Sequence, residues 1–145
     1  VIVYRIFQTY PPDHDPIDGE GPFLKGGRWN SKGVRAVYTA SSVSLARSEL
    51  ARHVNLECIP DNFRVYEIEI PEENVIAIET RPENWNSDPP NKSSQASGDK
   101  LLRNPECLAV QVPSVCDPQS SNYVLNPASN HYHHVRLLRD YPFVP

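Results

Sequence analysis

Arg28, Tyr38 and Glu49 are three residues of this chain that could act together on one ligand. Arg28 lies in the run Gly26-Gly27-Arg28-Trp29-Asn30-Ser31-Lys32-Gly33. A glycine such as Gly27 lets backbone come close to a ligand. An arginine offers a planar fork that matches phosphate oxygens. Tyr38 follows in Ala36-Val37-Tyr38-Thr39-Ala40, and Glu49 is the single acid between Ser42 and Val54. Turn, strand and helix in that order can bring a cation, a ring and a carboxylate to one cleft. Such a cleft suits a nucleotide that carries phosphate. The glycine pair is not a Walker loop, because no G-K-[ST] follows at the required spacing.

Each residue also has a plainer reading. By type alone, Arg28 is a surface turn arginine, Tyr38 a half-buried strand residue, and Glu49 a solvated helix acid paired with Arg47 or Arg52. A partly buried carboxylate, however, can act on a polar substrate. Arg5 interrupts an apolar strand, either as an exposed charge or as an arginine aimed into a cleft. Ser114 follows Pro113 at a strand end. Neither a G-x-S-x-G motif nor a clear base accompanies it, so a contact to phosphate or hydroxyl is the modest proposal. His131, His133 and His134 lack the H-E-x-x-H spacing or cysteine pair of a zinc site, and no metal is expected.

The elements that must position these residues are short. Val1–Phe7 is β-branched and aromatic and predicts a strand. Residues 10–25, with Pro11, Pro12, Pro16 and Pro22, predict a loop. Val34–Tyr38 predicts the next strand. Ser41 or Ser42 can cap a helix whose stripe is Val43, Ala46, Leu50 and Val54. In Phe63–Ile70, Tyr66, Ile68 and Ile70 alternate with Glu67 and Glu69, as in a half-buried strand. Asn74–Ile78, Leu108–Val112, Asn122–Pro127 and Val135–Leu138 are further extended candidates. Residues 80–99 predict a long loop of the kind that serves binding, with a short helical piece at Gly98–Arg103. The whole, 1–145, reads as one α+β domain with about two helices.

Composition sets limits. A chain of 145 residues fits one domain with a real core. Charged residues at 22% and hydrophobic residues at 39% describe a globular chain, and 15 prolines imply many loops. A net charge of -4 argues against a broad nucleic-acid surface while allowing a local basic pocket. Cys58, Cys107 and Cys116 are odd in number and widely spaced, which fits free thiols in a reducing cytoplasm. No apolar run approaches the ~20 residues that cross a bilayer, and no signal peptide is legible. The chain opens on Val1 rather than methionine, which leaves residues in front of it open.

The segments Gly-Gly-Arg-Trp-Asn, Val-Tyr-Thr-Ala, Ser-Glu-Leu, Val-Pro-Ser and Asn-Tyr-Val-Leu-Asn-Pro occur here in that order. Together they resemble the RES-domain family, named for an Arg, a Glu and a Ser. The resemblance runs from the Tyr4-Arg5 strand to Asn126-Pro127. It implies a compact domain of mainly antiparallel strands similar to the ADP-ribosyltransferase fold. It also implies a bacterial toxin that depletes NAD, paired with a helix-turn-helix antitoxin. Arg28, Glu49 and Ser114 match the name-giving residues, and Tyr38 matches their aromatic partner. Arg5 matches a first-strand phosphate contact, and Asn126 matches a further family position. Residues 80–99 are idiosyncratic to this chain.

With that resemblance, the expected enzyme is an NAD glycohydrolase or NAD phosphorylase in the cytoplasm. NAD is then the substrate and no cofactor is used. Glu49 stabilises the oxocarbenium-like ribose, while Arg28 and Arg5 hold the pyrophosphate. Tyr38 stacks on the nicotinamide side, and Ser114 bonds the ribose or a phosphate. The alternatives are ADP-ribosyl transfer to protein in the same pocket and a non-catalytic module that binds NAD or a partner. Homo-oligomers are compatible with the resemblance; direct nucleic-acid or membrane partners are not expected.

Overall fold

The computed structural model describes residues 1–9 and 15–145; Pro11 and Pro12 of the expected loop lie outside the described residues. Seven strands form one sheet: β1 (Ile2–Gln8), β2 (Val37–Ala40), β3 (Phe63–Glu69), β4 (Val75–Ala77), β5 (Ala109–Pro113), β6 (Ser121–Leu125) and β7 (Arg136–Pro142). Their spatial order is β4-β5-β6-β2-β1-β3-β7. Every neighbouring pair is antiparallel except β4 with β5. Among the described residues three α-helices complete the α+β fold: α1 (Glu20–Lys25), α2 (Val43–Ala51) and α3 (Lys92–Leu102).

The middle of the sheet is covered on both faces, whereas β7 at one edge is largely exposed. One core gathers Val3, Val37, Ile68, Ile70, Leu108 and Leu125. The other gathers Trp29, Trp85, Leu102, Val110, Val112 and Val124. Strand alternation sends Leu125 to the first and Val124 to the second. Tyr66, Ile68 and Ile70 are buried as the alternation of β3 predicts, but Phe63 and Val65 on the opposite face are buried too. The start of β3 is therefore covered on both sides.

The sheet is weakly closed where the site lies. β1 and β2 share a single register position, Tyr4 opposite Ala40. Beside it the Arg5 guanidinium donates to the Tyr38 carbonyl at 3.1 Å, a side chain standing where a ladder bond would otherwise run. On its other flank β2 pairs fully with β6, from Val37 opposite Leu125 to Ala40 opposite Asn122. α2 begins just beyond β2. The Ser42 hydroxyl accepts from the Leu45 amide at 3.0 Å, so Ser42 is the cap. Leu45 and Ala46 are the residues that bury, with Ala40 and Ile6. The helix ends at Ala51, short of Val54.

Two helices differ from the sequence reading. α1 forms inside the expected loop and buries no residue, so it leaves no apolar stripe to read. α3 takes the last part of the expected 80–99 loop and absorbs the short piece expected at Gly98–Arg103, while residues 80–91 carry no helix or strand, as expected. Its inward face is polar. The Ser94 hydroxyl donates to the Arg28 carbonyl at 2.7 Å, and the Gln95 amide donates to the Gly27 carbonyl at 2.9 Å. Asp99 accepts from the Ser31 amide at 2.9 Å and from its hydroxyl at 2.6 Å. Gly98 lies against Trp29 so closely that a Cβ there would stand 1.8 Å from the Trp29 carbonyl oxygen. α3 is thus a clamp on the backbone of residues 27–31.

Candidate active site

A cleft of about 480 Å³ opens over β1, β2 and α2, within the range that holds small-molecule ligands. Arg5, Gly27, Arg28, Tyr38 and Glu49 all line it. The structure therefore brings together five of the seven residues singled out in the sequence. Ser114 and Asn126 do not line it.

Glu49 sits on α2, half-buried, with its carboxylate held at both oxygens. Ser114 Oγ donates to Oε1 at 2.8 Å and Asn122 Nδ2 donates to Oε2 at 3.2 Å. This overturns the sequence expectation of pairing with Arg47 or Arg52. Ser114 is fully buried. Its one proton goes to Glu49, and its oxygen accepts from the Cys116 amide at 3.0 Å. Ser114 is consequently not placed as a ligand contact; it positions the carboxylate. Asn122 is the residue that sequence reasoning missed. It lines the cleft from β6, and its Oδ1 is buried without a partner among the described residues. Buried polar atoms are nearly always hydrogen-bonded, so this free acceptor beside the cleft is available to a ligand. The signal was an asparagine inside the apolar strand Ser-Asn-Tyr-Val-Leu.

Tyr38 gives the cleft its aromatic wall, but its hydroxyl is committed elsewhere. It donates to Asn30 Oδ1 at 2.6 Å and accepts from the Trp29 amide at 2.9 Å. Burial pushes its ionisation well above the ordinary tyrosine range, so the hydroxyl stays neutral. Gly27 must be glycine for a local reason: a Cβ would lie 2.6 Å from the Tyr38 hydroxyl. The close approach that its type suggested is made first by Tyr38.

Arg28 is only 12% exposed at its side chain. Its Nη1 donates to the carbonyls of Trp85 at 3.0 Å and Ser87 at 2.7 Å, and its Nη2 reaches Asp88 at 3.4 Å. Trp29 stacks on Trp85 with centroids 6.1 Å apart. The surface-turn reading of Arg28 is therefore wrong; adjacent side chains fasten the 85–88 segment to the cleft rim. Arg5 sits over the Phe7 ring at 4.7 Å. Burial pulls its guanidinium down to about 10, which still leaves it charged at neutral pH.

Arg5, Lys25, Arg28 and Arg52 line the cleft against the carboxylates Glu49 and Asp88. A chain of net charge -4 has thus gathered a cationic pocket, which favours an anionic ligand.

Outside the cleft, Asn126 is a structural residue. Its amide donates to the Cys107 carbonyl at 2.8 Å and the Asn104 carbonyl at 3.4 Å, while Oδ1 accepts from the Ala128 amide at 3.2 Å. It ties the turn after β6 to the entry of β5. Asn126→Ala strands the buried Cys107 carbonyl, and an expected loss of about 1–3 kcal/mol follows, read as a lower urea midpoint. An unchanged midpoint would remove this assignment. The three cysteines are free. The Cys107 and Cys116 thiols are pushed up to about 11, chiefly by burial, which leaves little thiolate at neutral pH. Of the histidines, His131 pairs with Glu106 at 3.0 Å. The described residues hold no cluster of three or more His, Cys, Asp or Glu side chains arranged for a metal. No helix among them is long and apolar enough to cross a membrane.

A mixed, mostly antiparallel sheet with a cationic cleft around one doubly held glutamate defines the class of protein. Comparison with known proteins gives it a family. The RES domain model matches residues 2–144. The chain is 38% identical over 111 residues to the protein "Toxin Res" of Yersinia enterocolitica, covering 75% of this chain and 73% of that protein. It is 35% identical over 135 residues to "Toxin Res" of Photorhabdus laumondii, covering 92% and 86%. It is also 35% identical over 126 residues to the "Prs ADP-ribosylating toxin" of a Sphingobium species, covering 83% and 77%. A chain in the crystal structure of the M. tuberculosis MbcT–MbcA toxin–antitoxin complex shares the fold, with a TM-score of 0.76 and 18% identity over 99% of this chain and 84% of that one. This chain belongs to the RES-domain family.

Proposed function

We propose that this chain is the toxin of a toxin–antitoxin pair, and that its cleft binds NAD and breaks the nicotinamide N-glycosidic bond. The observation that carries the reading is Glu49. A carboxylate fixed by two donors on the wall of a cationic cleft is preorganised to stabilise positive charge at a fixed point. NAD presents that need, because loss of nicotinamide leaves an oxocarbenium-like ribose. The C1′–N bond pair departs with nicotinamide, which leaves as a neutral molecule. An acceptor oxygen then bonds to C1′ and sheds its proton. Arg28 and Arg5 carry the charge that a pyrophosphate requires, and the Tyr38 ring offers a flat wall. The names of the curated relatives support a toxin, and the fold shared with a toxin–antitoxin complex supports a protein antitoxin as partner.

The acceptor is water in a glycohydrolase or inorganic phosphate in a phosphorylase. A second reading is transfer of ADP-ribose to a protein, which the name of the Sphingobium relative favours. One experiment separates them: incubation with labelled NAD, with and without phosphate. Free ADP-ribose indicates hydrolysis, its 1″-phosphate indicates phosphorolysis, and label on protein indicates transfer. NAD left intact under every condition would reduce the cleft to a binding module.

A further inference from the structure

Asp88 is the feature that the proposed chemistry does not use. Its side chain is 63% exposed, yet it joins two guanidinium groups. Oδ1 faces Arg28 Nη2 at 3.4 Å and Oδ2 pairs with Arg52 Nη2. All three residues line the cleft that holds Glu49. A single two-oxygen anion spanning two guanidinium forks is how a phosphate is commonly held. The two arms differ in how firmly they are placed. Arg28 Nη1 is fixed by the Trp85 and Ser87 carbonyls, so Nη2 stays aimed even when Asp88 leaves. Arg52 stands at the C-cap of α2, with a side chain 26% exposed and Asp88 as its ion-pair partner among the described residues. Asp88 itself is mostly in water and gives up little hydration by turning outward.

We infer that Arg28 and Arg52 form a phosphate subsite whose place Asp88 holds until a phosphoryl group displaces it. The ligand class is a pyrophosphate-bearing nucleotide, which rests on the reading of the cleft as a dinucleotide site. The pyrophosphate of a dinucleotide brings a charge and a pair of non-bridging oxygens on each phosphorus, twice what the Asp88 carboxylate offers, so it outcompetes Asp88 for both forks. Arg52 becomes a binding residue, and Asp88 an internal competitor that weakens binding.

The test is calorimetric titration of the whole protein with inorganic pyrophosphate and, separately, with NAD. Wild type is compared with Arg52→Gln and Asp88→Asn, with melting curves recorded for each. Arg52→Gln is expected to weaken pyrophosphate binding by about tenfold or more. Asp88→Asn is expected to tighten it by about two- to fivefold, a gain that misfolding cannot imitate. Unchanged pyrophosphate affinity in either variant, or no pyrophosphate binding by both wild type and Asp88→Asn, overturns the inference. The two readings part cleanly. The expected pyrophosphate pattern without NAD binding keeps the subsite and rejects the dinucleotide; NAD turnover with flat pyrophosphate affinities does the reverse.

Discussion

Glu49→Gln is expected to lower NAD consumption by about 10²–10³-fold while the protein melts at the wild-type temperature. The substitution keeps shape and removes charge. Glu49 accepts from Ser114 at one oxygen and from Asn122 at the other. A glutamine carbonyl can keep the Ser114 bond. Its amide then faces Asn122, whose Oδ1 has no partner among the described residues and can turn to accept. The turn puts Asn122 Nδ2 in the unpartnered place that Oδ1 held, so the exchange adds no further unmet buried polar atom and stability should hold. What disappears is the negative charge that the proposed function sets opposite a developing ribose cation. Loss of NAD measured by chromatography, beside a thermal melt, decides the matter. Wild-type turnover by the glutamine variant would end the assignment of Glu49.

Gly98→Ala should cost about 3 kcal/mol or more through overpacking, a fall in Tm of roughly 10 °C for a chain of this size. The added Cβ would meet the Trp29 carbonyl oxygen at 1.8 Å and its carbon at 2.7 Å. Those are backbone atoms and cannot swing aside. Either α3 lifts or residues 27–31 shift, and both routes break the bonds from Ser94, Gln95 and Asp99. Asp99 is buried and would lose its partners at Ser31. NAD turnover should fall with stability, because Arg28 rides on the displaced backbone. Gly21→Ala is the control for stability, since a Cβ there meets nothing within 4 Å. An alanine at 98 that melts like wild type would show that α3 does not press on Trp29.

These two residues also show what the sequence disclosed and what it withheld. Tyr66, Ile68 and Ile70 announced β3 because one face of a strand must leave water, and that requirement is written as alternation. Arg28, Tyr38 and Glu49 were legible as a set because turn, strand and helix follow directly on one another. α3 was hidden because its buried face is Ser94, Gly98 and Asp99, with Gln95 beside them. Apart from Leu101 and Leu102 at its end, which reach the second core, it binds backbone, so its period carries little hydrophobic signal. Ser114 and Asn126 were legible as residues of note but not in their roles. Whether a hydroxyl faces a ligand or supports the side chain that does so depends on strands far apart in sequence. Asn122 was concealed for the same reason, since only the pairing of β6 with β2 brings it to Glu49.

That pairing has a consequence for the order of events in a cell. β6 is inserted between β5 and β2, although β2 is made long before it. The carboxylate of Glu49 therefore lacks both Ser114 and Asn122 until residues 109–125 have been synthesised and docked. A chain emerging from the ribosome carries Arg5, Arg28, Tyr38 and Glu49 for most of its synthesis without an assembled centre. On the proposed function the centre is therefore expected to be inactive while the chain is being made, and a product truncated before Asn122 is expected to stay inactive.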